Sequence, residues 1–153
     1  MSAPPPVGLR LINTCIMLAA TIGLLVVWGV YLANYNRLPQ IIPTHFGASG
    51  LPNHWGNRSM LTMFPILSLA AYVAAMGVHY LVLPIRRPAT PLSGSVIFLL
   101  MAEIIWLWFF LEWQTIRVAL GQAIGLGPVV NVVFILVMLT ALSLLVTNFI
   151  KPK

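Results

Sequence analysis

Hydrophobic positions gather into four long blocks along the chain, roughly 11–33, 60–83, 95–120 and 129–150, with polar connections at 34–59, 84–94 and 121–128. About 20 apolar residues suffice for a helix to cross the hydrocarbon core of a bilayer, and each block is long enough. The apolar runs are continuous and do not alternate with period two, so they predict helices rather than barrel strands. The expected fold is therefore an all-α integral membrane protein. It is a single domain over 1–153, with four transmembrane helices in an up-down bundle and an ordered, Pro/Gly-rich outer loop at 34–59. The first block starts too late and runs too long for a cleaved signal, and Asn34-Tyr35-Asn36-Arg37 after it is bulky where a cleavage site needs small residues. The proline-rich lead before it is expected to be disordered.

Composition agrees with the pattern. Sixty per cent of residues are hydrophobic, and eight Lys/Arg with two Asp/Glu make only 7% charged, against about 25% in a soluble domain. The net charge of +6 reflects missing acids rather than a surplus of bases. The densest basic cluster is Arg86-Arg87, which excludes a nucleic-acid interface. A single cysteine, Cys15, excludes a disulfide scaffold and reads as a buried small hydrophobe.

Lys/Arg placement sets the expected orientation. Four helices put Arg10, Arg86, Arg87, Lys151 and Lys153 on one side and Arg37, Arg58 and Arg117 on the other. The first side is expected to be cytoplasmic and to hold both termini, in a multi-pass protein of the bacterial cytoplasmic (inner) membrane. Trp28, Tyr31, Tyr35 and Trp113 then fall near the outer interface and Tyr80 near the inner one. Small residues let membrane helices approach closely. Ala19 and Gly23 in the first block and Ala70, Ala71, Ala74, Ala75 and Gly77 in the second predict that these two helices pair. The bulky Trp106, Trp108, Phe109, Phe110 and Trp113 of the third are expected to face lipid, or else a partner protein.

The outer loop carries the most specific pattern. Pro39, Pro43 and Pro52 force extended or turn geometry, and Gly47, Gly50 and Gly56 supply turns. Interleaved Ile41, Ile42, Phe46, Leu51 and Trp55 predict a compact cap folded onto the helix ends, with His45 turned into it. Leu38-Pro39, Ile42-Pro43-Thr44-His45-Phe46, Gly50, Trp55-Gly56 and the basic Arg58 match the spacing LP..IP.HF...G....WG. This stretch resembles a widespread bacterial membrane domain of unknown function, found in the SdpI-type proteins that resist a secreted toxin. The resemblance covers about 25 residues and implies a shared membrane domain and an immunity role. Where that family usually has Lys after the WG pair, this chain has Arg58.

Candidate chemistry is sparse. His45 and His54 are the residues a metal would use, with Glu112 a conceivable third ligand. A catalytic zinc needs three protein ligands, and no HExxH or paired cysteines accompany them. No metal, cofactor or catalytic set is expected. Within the third block lie the intramembrane polar residues Glu103, Glu112, Gln114 and Arg117. Glu103 sits near mid-membrane, where a carboxylate costs on the order of 2.5–3.5 kcal/mol and needs a partner, a wet cavity or a proton. At 100° per residue Gln114 and Arg117 share its stripe, whereas Glu112 falls on the opposite side. Arg117 lies about 21 Å away along the axis. Asn13, Thr14, Thr21, Asn131 and Thr140 are the candidate partners, with Thr21 and Thr140 nearest its depth. His79 reads as an interfacial residue. The expected function is a non-catalytic membrane protein acting through protein contacts in the bilayer, or through self-association, as an accessory subunit or immunity factor. A metal enzyme using His45 and His54, and a proton or ion path through Glu103, are the alternatives.

Overall fold

The structure, a computed structural model, describes residues 7–82 and 91–149. The lead 1–6, Arg86 and Arg87, and Lys151 and Lys153, on which the expected orientation partly rests, lie outside the described residues. The chain is mostly helical. Helix α1 (Val7–Asn34) ends in a 3-10 turn (Tyr35–Arg37), and strands β1 (Ile41–Phe46) and β2 (Pro52–Asn57) follow. A second 3-10 turn (Arg58–Thr62) leads into α2 (Met63–Gly77), which closes on a π turn (Val78–Val82). Helices α3 (Pro91–Ala119) and α4 (Pro128–Phe149) complete the order.

Among the described residues three segments are long and apolar enough to cross a membrane: Val7–Arg37, Arg58–Leu81 and Ser95–Ala119. Among the described residues of α4 the apolar stretch is shorter, Pro128–Ser143.

The all-α expectation is corrected by the α1–α2 connection, which folds as an antiparallel hairpin. Its strands begin with the β-branched pair Ile41-Ile42, and Pro43 holds the backbone extended. A turn links them: the Gly50 amide donates to Gly47 O at 2.9 Å, and the Gly47 amide to Leu51 O at 2.9 Å. Gly50 adopts φ 76°, a left-handed conformation that glycine takes without steric penalty.

Helix α3 is central and packs against α1, α2 and α4. One core cluster, with Ala20 and Val27 of α1, Ala75 of α2, and Phe98, Met101 and Ile105 of α3, fills the bundle. A second joins Leu38, Ile42, Leu61 and Ile116 beneath the hairpin. Helices α1 and α2 do pack on each other, with Thr21 bonded to Tyr72, but α1 packs more extensively on α3. The Ala19/Gly23 notch receives Trp106, whose Nε1 donates to Ala19 O at 3.3 Å. A Cβ on Gly23 would stand 3.1 Å from both Ile105 Cγ2 and Trp106 Nε1. Trp106 therefore faces protein, because its indole N–H finds an acceptor only where small residues bare the backbone. Cys15, expected to be buried, is exposed on α1.

Candidate functional site

The hairpin is built as a rigid cap, and the loop residues quoted above divide into those that build it and those that decorate it. Leu38 and Ile42 are almost fully buried and anchor β1 to Leu61 and Ile116. Arg58 ties the two ends of the hairpin together. Its amide donates to Gln40 O at 2.9 Å, its Nη1 to Leu38 O at 3.2 Å, and its guanidinium lies 5.2 Å from the centre of the Tyr35 ring. Asn57 accepts from the Ser59 amide at 2.9 Å and caps the turn into α2. Gly56 is small for a reason of space, since a Cβ there would lie 2.9 Å from Thr44 Cγ2. At the tip, the Leu126 amide donates to Gly50 O at 2.8 Å, so the hairpin is clasped to the α3–α4 connection. Pro39 is exposed, Thr44 and Phe46 are half-buried, and Trp55 is half-exposed.

The two histidines do not converge. His45 and His54 are register partners, but the strand is irregular on both sides of His45. His45 Nδ1 lies 2.6 Å from Asn53 Oδ1, and His54 Nδ1 lies 3.0 Å from Thr44 Oγ1. Each imidazole is thus held by a side chain of the facing strand. His45 is exposed and bonds the Asn53 side chain, yet it also lines the cavity beneath the hairpin, so the expectation that it points into the cap rather than to solvent holds only in part. Among the described residues no group of three or more His, Cys, Asp or Glu is placed to hold a metal.

The intramembrane residues fall into three environments. Glu103 is half-buried and faces α4, where Thr140 Oγ1 lies 2.8 Å from its Oε1; Oε2 has no partner among the described residues. The other depth-matched candidate, Thr21, is engaged by Tyr72 OH at 3.0 Å. Glu112 is fully buried, and neither carboxyl oxygen has a described partner. It shares the buried stripe of α3 with Met101, Ile105 and Ile116, which is why it cannot meet Glu103. Arg117 Nη1 donates to Gln114 Oε1 and Nη2 to Gln122 O, both at 3.4 Å, closing the C-terminal end of α3. His79 sits between the rings of Tyr80 and Phe98, at 4.8 and 4.4 Å.

Between the hairpin and the helix ends lies a cavity of about 260 Å³. Its walls come from β1, the Arg58–Thr62 turn, α2, α3 and the Leu126 segment. Apolar side chains dominate, among them Ile42, Leu61, Phe64, Trp108 and Leu111, and its polar residues are Thr44, His45 and Thr115. Trp108 and Phe64 pack with ring centres 5.8 Å apart. Sequence reasoning did not single out this cavity, nor Gly125 and Leu126 that clasp the hairpin. The signal was present in the glycine-rich run Gly125-Leu126-Gly127-Pro128, a composition that marks close backbone approach as well as a turn.

Comparison with known proteins bears on the same region. The family described as a domain of unknown function, DUF1648, matches residues 22–69, a window that runs from mid-α1 through the hairpin into α2. An uncharacterized protein of Archaeoglobus fulgidus is 40% identical over 50 residues, covering 32% of this chain and 27% of that protein. No solved structure matches. This chain is thus similar to the DUF1648 family through the α1–hairpin–α2 unit, in which the cap is built.

Proposed function

We propose that this chain is a non-catalytic, multi-pass protein of the bacterial cytoplasmic membrane that acts by holding another membrane protein, as an accessory subunit or as an immunity factor of the SdpI type. The observation that carries this reading is the cap itself. A hairpin fixed at its base by Arg58 and at its tip by Leu126 presents Ile41, Leu51 and Trp55, each about half exposed, on the side where the helices end. Large apolar side chains held on a rigid platform form the kind of surface that partners anchor on. In this reading α4 is the fourth span. Its 22 residues measure about 33 Å at 1.5 Å each, enough for a hydrocarbon core of about 30 Å. Both termini then lie in the cytoplasm and the hairpin outside.

The experiment is affinity purification in mild detergent of the wild-type chain and of Trp55→Ala. A membrane protein retained in fixed stoichiometry by the wild type and lost from the variant supports the reading. A wild-type chain that purifies alone from its native membrane defeats it.

A further inference from the structure

The cavity beneath the hairpin has a position and a chemistry that the partner-binding reading does not use. On the hairpin wall Thr44 and His45 stand beside apolar Ile42 and Phe46, and Met63, Phe64, Trp108 and Leu111, within membrane-spanning segments, line the other walls with Thr115. A mostly apolar space with a few polar groups on its hairpin wall is the profile of a site for an amphiphile.

Met63 connects the cavity to the exposed face of α2. Met63, Ile66, Ala70 and Val73 are all exposed and recur at helical spacing, and Met63 both heads this stripe and lines the cavity. A chain lying along that stripe meets the cavity at Met63 without passing through water. Met60 and Met63, 50% and 42% exposed, are the flexible, polarizable side chains that adapt to a mobile alkyl chain. At about 260 Å³ the space lies just below the range of about 300–1,000 Å³ for drug-sized ligands. It suits one chain rather than a folded molecule.

Charge selects among amphiphiles. The only acids in the sequence are Glu103 and Glu112, one half-buried within α3 and the other fully buried. The hairpin side carries Arg37, Arg58 and Arg117, none of which lines the cavity, and the acid nearest to them, Glu112, is fully buried on α3. Cations near a membrane surface attract anionic headgroups.

We propose that this cavity takes one acyl chain of an anionic lipid from the adjoining leaflet, with the acidic headgroup beside Thr44 and His45 on the hairpin wall. The bound chain would fill the space between hairpin and helices and fix the cap at the bilayer surface.

The test uses the full chain in phosphatidylcholine vesicles containing a trace of phosphatidylglycerol with a photoreactive diazirine in mid-chain. Labelled residues are mapped by mass spectrometry. Labelling is expected to concentrate on Met63, Phe64, Trp108 and Leu111, well above the exposed α4 face from Val132 to Leu142, which reports ordinary lipid contact. The same diazirine on phosphatidylcholine should label the cavity about fivefold less, a ratio equivalent to about 1 kcal/mol. Leu111→Trp should abolish cavity labelling and leave α4 labelling intact. Should that variant fail to insert, Met63→Trp narrows the cavity from an exposed position and must lower the signal likewise. Cavity labelling no stronger than that of α4, indifferent to both variants, or equal for the two lipids overturns the proposal. The partner-binding reading stands or falls separately, on Trp55 and co-purification.

Discussion

The carbonyl oxygen of Gly50, at the hairpin tip, accepts a 2.8 Å hydrogen bond from the amide of Leu126 in the α3–α4 connection. Two loops far apart in sequence are thereby locked backbone to backbone. Such an approach leaves no room for side chains, and a Cβ on Gly125 would collide with the Gly50 carbonyl. Because both colliding groups are held by backbone, neither can swing away. Gly125→Ala should therefore break the clasp and destabilise the protein by about 1–3 kcal/mol, the usual range for overpacking. Gly121→Ala, at φ 71° but with open space around it, should strain only its own turn. Amide exchange separates the two: Leu126 loses protection in the first variant and keeps it in the second.

His45 gives a smaller effect than its place in the loop pattern suggests. Its ring is exposed and its partner is the side chain of Asn53, itself exposed. Water replaces such a bond readily. His45→Ala should change stability by no more than about 0.5 kcal/mol. Thermal melting in detergent checks this, and a loss of several degrees would place His45 in a structural role.

How far the sequence foretold this structure is decided by what each signal encodes. Continuous apolar runs report burial or lipid contact, and they located all four helices within a few residues. The proline and glycine pattern of 34–59 foretold an ordered cap, and Ile42 is buried in it as expected, whereas Ile41, Leu51 and Trp55 are about half exposed. It did not foretell strands, because each strand contains residues common in turns, and the pairing depends on a partner segment that local pattern does not specify. The small-residue motif at Ala19 and Gly23 correctly marked a close approach but not the neighbour. Any bulky side chain fits a notch, and Trp106 of α3 supplied it rather than the alanines of α2. The cavity was hidden for a related reason. Its walls come from five separate elements, so no single stretch of sequence carries its signature.

Glu103 and Thr140 were matched by depth, and the structure joins them at 2.8 Å. The Thr140 hydroxyl has a single proton, yet Leu136 O also lies within 3.0 Å. A glutamine at 103 offers both a donor and an acceptor, so Glu103→Gln should insert and fold as the wild type does. Thr140→Val removes the hydroxyl and leaves Glu103 without a described partner. It should destabilise the α3–α4 contact by about 1–3 kcal/mol, the penalty of an unpaired buried polar group. In the double variant Glu103→Leu with Thr140→Val, stability should return toward wild type, since apolar groups then meet. Unfolding in detergent provides all three values. An equal loss in Glu103→Gln and Thr140→Val would assign the interaction to an ionised carboxylate.

Glu112 is a different case on the same helix. It is fully buried, both oxygens lack a described partner, and its stripe otherwise consists of apolar or small side chains such as Met101, Ile105 and Ile116. A residue of that kind works against folding: an unpaired buried polar group costs about 1–3 kcal/mol, and well-packed apolar replacements of similar volume are often stabilising. Glu112→Met keeps the length and removes the polar head, so it should raise the melting temperature. Natural chains keep such groups where function opposes stability. The expected companion result is weaker partner retention in the purification described for Trp55, despite the more stable fold. A variant both more stable and fully competent would reduce Glu112 to a tolerated defect. One that is less stable would place a partner for the carboxyl beyond the described residues, most directly on an associated subunit.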